Sequence, residues 1–214
     1  PEAIVYVSPA VYAFAVIVPE NKKLPAETLS QTVKCVASCE PAILVQVISA
    51  SDAIAPADAV AQSLQALHWL QSQQVKQVYF KYCSTFDSLY RGEVRGNIGP
   101  VTEALMQAMD CDFTIATPAF PDNQRTVFKG HLFVDDVLLS DSGMKNHPLT
   151  PMQDANLLNV MQAQCNKRVG LIDYRCVAKG SEAIAQRIIE LNTYGYPMIM
   201  TVSTKHPLER PDVF

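Results

Sequence analysis

Apolar positions along the chain fall in short runs, each followed by an amphipathic stretch, and the alternation repeats. Ile43 to Ile48 reads as a buried strand, and Pro56 then opens a helix in which Ala57, Val60, Ala61, Leu64 and Leu67 recur at three- and four-residue spacing. Val75 to Tyr82 predicts the next strand. A polar loop runs from Ser84 to Gly99, after which Pro100 begins a helix carrying Val101, Leu105, Ala108 and Met109 on one face. Phe113 to Thr117 predicts a strand closed by Pro118 and Pro121, and Val127 to Leu139 predicts short strands turned around Asp135 and Asp136. Asp154 to Gln164 and Ser181 to Asn192 read as helices, the second with Ile184, Ile188 and Leu191 aligned; Val169 to Ile172 and Met198 to Val202 read as strands. Nearer the start, Ile4 to Val7 and Tyr12 to Val18 have strand character, and Pro25 to Cys39 predicts a helix striped by Leu29, Val33 and Val36.

Strands separated by helices imply βαβ units. The expected class is α/β: a mostly parallel sheet with helices on both faces, in a Rossmann-like three-layer arrangement, with a small β-hairpin insertion. No repeat, low-complexity tract or Gly/Ser-rich linker interrupts the pattern, so a single domain over 1–214 is expected.

Composition narrows the partners. Seventeen Lys plus Arg against 21 Asp plus Glu give a net charge of −4, and the pI is near 5.5, which argues against nucleic acid. The most apolar early run, Val11 to Val18, is far shorter than the roughly 20 residues that a membrane span needs. A cytoplasmic chain without a membrane partner is expected. Six cysteines, at 35, 39, 83, 111, 165 and 176, include no Cys-x-x-Cys pair and read as buried or half-buried reduced thiols, with a disulfide or metal role as the alternative.

In an open parallel sheet, ligands bind where loops leave the carboxyl ends of strands. The loop after the Val75 strand carries Lys81, Ser84, Thr85, Asp87 and Ser88 at its start and Gly96, Asn97 and Gly99 at its end. Open amides at the following helix start favour an anion, and the glycines allow close approach to the backbone. Lys81 adds positive charge, Ser84 and Thr85 add hydroxyls, and Asp87 adds an acceptor or a general base. The alternative is an ordinary turn at Asp87 and Ser88, with Gly99 merely capping a helix. A second loop, after the Phe113 strand, holds Arg125, which is either a bidentate carboxylate partner or a surface residue paired with Asp122. His131 and His147 read as packed or surface imidazoles. The chain contains no Gly-x-Gly-x-x-Gly, no Gly-Lys-Ser/Thr phosphate loop and no Gly-x-Ser-x-Gly.

Lys81-Tyr-Cys-Ser-Thr-Phe-Asp-Ser88, Gly96-Asn-Ile-Gly-Pro-Val101, Pro118-Ala-Phe-Pro, Arg125-Thr, Gly130-His-Leu-Phe-Val134 and Ser142-Gly-Met-Lys-Asn-His-Pro148 occur in this order. Together they resemble the four-carbon acid sugar kinase family, as in 3-oxo-tetronate kinases, from about Pro56 to Gly195. The resemblance implies an N-terminal domain that binds a small anionic sugar acid and a separate C-terminal domain that binds ATP with Mg2+. The γ-phosphate would pass to the terminal hydroxyl of the acid. It also implies that Lys81, Ser84, Thr85, Asp87, Asn97 and Arg125 surround the carboxylate and hydroxyls, with Ser88, Gly96 and Gly99 completing the loop.

The sequence departs from this pattern in places. Tyr6-Val-Ser-Pro-Ala10 stands where the family has Asp-Asp-Phe-Thr-Gly, and Ser49-Ala-Ser-Asp-Ala53 stands where it has a Ser-x-Ser-Arg-like segment. Leu89 to Arg95 is extra, and Gln124 replaces a Gly before Arg-Thr. By resemblance the chain covers only the substrate domain. The expectation is a substrate-binding half that is inactive alone, meeting a separate ATP-binding half or a second copy of itself; the alternative is a non-catalytic sugar-acid-binding or scaffold protein.

Overall fold

The computed structural model describes residues 5–7, 13–16, 43–47, 55–72, 77–82, 86, 90–91, 94–148 and 150–201. The chain divides into two compact units, Pro1–Tyr82 and Cys83–Phe214. The helix expected over Pro25 to Cys39 lies outside the described residues, as do Cys35, Cys39 and Cys83.

The first unit holds a four-stranded sheet in the order β1 (Val5–Val7), β2 (Ala13–Val16), β3 (Ile43–Val47), β4 (Gln77–Lys81). β1 pairs antiparallel with β2; β2–β3 and β3–β4 are parallel, with Ala13 opposite Ile43 and Val47 opposite Lys81. Helix α1 (Pro56–Ser72) starts at its proline, as the sequence predicts. Its buried stripe is Ala59, Ser63, Leu67 and Leu70, so the expected face through Ala57 and Ala61 is rotated outward. Ser63 can lie in this stripe because its hydroxyl donates back to Ala59 O, which satisfies a polar group inside an otherwise apolar face.

The second unit holds two sheets and a hairpin. The hairpin, β5 (Tyr90–Arg91) with β6 (Val94–Arg95), occupies the segment that the sequence marks as extra within the polar loop. Helix α2 (Ile98–Ala108) follows. It begins two residues before the expected Pro100, because a proline within the first turn lacks only an N–H that the helix does not use. Val101 and Leu105 are buried as expected, joined by Ile98 and Met106, whereas Ala108 is exposed.

Strand β7 (Thr114–Ala116) is one edge of a parallel sheet ordered β11 (Val169–Ile172), β12 (Met198–Thr201), β7. Met198 and Ile199 are consecutive and both buried, so both faces of this sheet are covered. The parallel α/β architecture expected from the sequence is present, with its strands shared between two sheets. Between β7 and β11 lies a three-stranded antiparallel sheet, β8 (Arg125–Phe128), β9 (His131–Val134) and β10 (Val137–Leu138), rather than a simple hairpin. Its second turn falls at Asp135 and Asp136, as predicted.

The helix expected from Asp154 is shorter, α3 (Leu157–Gln162). Asp154 Oδ1 accepts from Asn156 N at 2.8 Å, and Asn156 Oδ1 caps Leu158 N at 3.1 Å, so two short polar side chains hold the backbone out of the helix until Leu157. The short helix α4 (Tyr174–Val177), capped by Asp173, leads into α5 (Ser181–Thr193). Ile184 and Leu191 of α5 pack on Ile172 and Ile199, with Ile188 alongside, so the predicted stripe is the docking face. No helix among the described residues is long and apolar enough to cross a membrane.

Candidate functional site

Of the residues expected in the first loop, Lys81 ends β4 in the first unit, while Ser84, Thr85, Asp87 and Ser88 lie outside the described residues. Phe86, between them, is completely buried and has a left-handed backbone, φ 54°. Gly96 is buried, Asn97 is the N-cap of α2 and Gly99 is its second helical residue, so the structure brings these three together at one helix start.

This helix start offers an anion less than the sequence suggests. Gly99 N–H donates to Gln164 Oε1 at 3.0 Å, Pro100 has no N–H, and Val101 N–H returns to Asn97 O at 3.0 Å. Of the amides from Ile98 to Val101, the Ile98 group remains. Gly99 is a glycine for packing rather than for ligand approach: a Cβ there would lie 2.5 Å from Gln164 Cβ and 2.7 Å from Cys165 Sγ.

Arg125 opens β8 on the separate antiparallel sheet, and its backbone forms a reciprocal pair with Phe120. Between them runs a tight turn over Pro121–Asn123, closed by Gln124 at φ 55°. That left-handed φ is one that glycine adopts most readily, in keeping with the glycine that the resemblance implies at this position; Gln124 adopts it and the turn is made. Arg125 shares a sheet face with Val127, which is buried, so its side chain starts out on the inner side. Nη1 donates to Asn123 O at 2.8 Å, whereas the buried Nε has no hydrogen-bond partner. The Nε edge of a guanidinium is one of its two bidentate faces and matches a carboxylate. Asp122, the alternative partner, has a side chain outside the described set. Signals from sequence had marked Arg125 by type and loop position; the orphaned nitrogen is visible only in the fold.

The two histidines are held by local bonds. His147 Nδ1 accepts from Thr150 N at 3.2 Å and lies 3.0 Å from its hydroxyl, while His131 Nδ1 lies 3.3 Å from Lys129 O. Sequence reasoning passed over Gln164, whose isolated amide carries no spacing signal.

Cys111, Cys165 and Cys176 are free thiols. Cys111 is exposed, contrary to the expectation of buried or half-buried thiols. Burial, with a smaller contribution from the Glu103 carboxylate, pushes the Cys165 thiol up to about 12. At pH 8 only about one Cys165 in ten thousand is then the reactive thiolate. A short maleimide pulse at that pH, read by peptide mapping, is expected to label Cys111 and spare Cys165. Comparable labelling of the two would contradict the packing of Cys165 against Gly99.

Residues 21–208 match the model of the sugar-binding N-terminal domain family. The chain belongs to this family. A 3-oxo-tetronate kinase of Pseudomonas savastanoi pv. phaseolicola is 58% identical over 142 residues, which are 66% of this chain and 32% of that enzyme. The 3-oxo-tetronate kinase of Escherichia coli K12 is 47% identical over 153 residues, 71% of this chain and 38% of that enzyme. The chain thus spans about a third of the length of the curated relatives it matches. Among solved structures, a Haemophilus influenzae protein superposes with a TM-score of 0.72 at 39% identity, covering 92% of this chain and 43% of that one. A Bordetella bronchiseptica domain, solved with bound citrate as a domain-swapped dimer, shares the fold with a TM-score of 0.59 at 21% identity, covering 82% and 40%.

The resemblance implies ATP and Mg2+ for the whole enzyme. Among the described residues, no group of three or more His, Cys, Asp or Glu is placed to hold a metal ion, and the sequence has no phosphate loop of the Gly-Lys-Ser/Thr kind. None of the described residues is assigned to the metal or the nucleotide.

Proposed function

We propose that this chain is the acid-binding domain of a kinase acting on four-carbon sugar acids of the 3-oxo-tetronate type. The observation that carries this reading is its 47–58% identity to 3-oxo-tetronate kinases from several bacteria. The partnerless Nε of Arg125 supports it from within the fold, because a buried donor without a partner is costly unless a ligand completes it. In this reading Arg125 takes the carboxylate. Ser84, Thr85 and Ser88 meet the hydroxyls, with Asp87 as acceptor and candidate general base, and Gly96 and Asn97 close the turn.

Phosphoryl transfer is mostly positioning and charge stabilisation around the phosphates, a task that the resemblance assigns to a second domain binding ATP and Mg2+. The 214 residues by themselves are therefore expected to bind the acid and leave ATP unconsumed. Calorimetric titration with erythronate and 3-oxo-tetronate at millimolar concentration should give saturable heat. Arg125→Ala should weaken binding by about 10- to 100-fold, the usual worth of a charge-assisted hydrogen bond. ATP hydrolysis coupled to added acid would overturn the assignment of transfer to another domain.

A second reading, a binding or scaffold protein without transfer, is favoured by Tyr6-Val-Ser-Pro-Ala10, which lacks the family's paired acids. The same titration separates a binder from a scaffold, since no heat from any four-carbon acid leaves only the scaffold.

A further inference from the structure

We infer that Gln164 is a positioning residue for the acid-binding turn, acting through Gly99 and Asn97 without touching the ligand. This rests on the reading that the Gly96–Asn97 segment helps hold the acid. Gln164 is only 3% exposed, an unusual place for an amide unless both its ends are satisfied. They are: Oε1 accepts from Gly99 N at 3.0 Å and Nε2 donates to Val160 O at 3.0 Å. Flipping the amide would set donor against donor at Gly99 and acceptor against acceptor at Val160, so one orientation is specified.

The strap is reinforced at both ends. On the α2 side, Glu103 lies one turn beyond Gly99. Its Oε1 accepts from Lys167 N at 2.7 Å and its Oε2 from Asn166 Nδ2 at 3.1 Å. The turn from 164 to 167 therefore grips α2 at two points on one helix face. On the other side, Gln162 ties the same turn down, donating to Lys167 O at 3.1 Å and accepting from Val169 N at 3.0 Å, where β11 begins. The first turn of α2 is thus referenced to the parallel sheet through side-chain amides, and Gly96 and Asn97 inherit that placement. Without the Gln164 acceptor, the buried Gly99 N–H loses its partner and the first turn loses its fixed position.

Gln164→Met, of similar volume, removes both bonds, whereas a protonated glutamic acid at this place can reproduce both, its carbonyl accepting and its hydroxyl donating. Erythronate titration of the 214-residue chain, well below each variant's melting temperature, is expected to show at least a roughly tenfold loss for Q164M. Hydrogen exchange at Gly99 and Val101 should speed up alongside. Q164E should bind nearly as wild type at about pH 5.5, where a buried carboxyl keeps its proton, and lose affinity at pH 8 relative to wild type at the same pH. Unchanged erythronate affinity in Q164M, with only a lower melting temperature, would show a merely structural role and overturn the inference. Should Q164M not fold, the Q164E pH comparison decides, and pH-independent wild-type-like binding overturns it. Absence of erythronate binding by the wild-type chain instead sinks the acid-binding reading, and positioning with it; the two failures are therefore distinct.

Discussion

Gly99→Ala is expected to lower stability by about 2–4 kcal/mol, through overpacking plus the loss of a buried hydrogen bond. The new methyl group would meet Gln164 Cβ at 2.5 Å, Cys165 Sγ at 2.7 Å and the Gln164 carbonyl carbon at 3.1 Å. Cys165 Sγ can rotate away, but Gln164 Cβ and the Gln164 carbonyl carbon are tied to the backbone and no side-chain rotation clears them; the turn after α3 or the first turn of α2 must move. Movement breaks the Gly99–Gln164 bond, which has a donor–acceptor distance of 3.0 Å. Gly143→Ala is the matched control, because nothing lies within 4 Å of a Cβ there and the backbone is not left-handed. Urea unfolding of the two variants should separate them clearly, and a loss of less than about 0.5 kcal/mol for Gly99→Ala would refute the close packing of α2 on the 164–165 turn.

Ile172→Ala should cost about 2–5 kcal/mol, the range for truncating a buried aliphatic side chain. Ile172 is fully buried on β11 against Ile184 and Leu191 of α5 and Ile199 of β12. The methyls removed would leave a cavity between a parallel strand and its covering helix, two elements that a single side chain can hardly pull together. For a chain of this size the melting temperature should fall by very roughly 5–15 °C. Ile189→Ala on the same helix is the contrast: Ile189 is 60% exposed, and its truncation is expected to stay within about 0.5 kcal/mol of wild type. Equal shifts for the two would mean that α5 docks by another face.

The docking face of α5 was readable in advance because Ile184, Ile188 and Leu191 form one stripe and no polar residue competes within it. Helix α1 shows the limit of the same reasoning. Four of its apolar residues are alanines spread around the helix, which burial does not discriminate strongly, and a serine that bonds its own backbone could turn inward. Helix starts were legible to within a few residues where a proline marked them. The onset of α3 was not, because Asp154 and Asn156 suit either a helix interior or a cap until their hydrogen bonds are known. At the candidate site, the motifs around Gly96–Asn97 and Arg125 could be found from the sequence. What occupies Gly99 could not, since its partner Gln164 lies 65 positions away and nothing local announces it.

The sequence alone determined the α/β class, the order of the longer strands and helices, and the family, because hydrophobic periodicity and ordered motifs are properties of neighbours along the chain. Only the tertiary structure decided which groups remain for a ligand. It spent the Gly99 amide on Gln164 and left the Arg125 Nε buried without a partner. The reason is physical: hydrogen-bond satisfaction is settled between elements distant in sequence, and a donor's availability depends on what the fold brings to it.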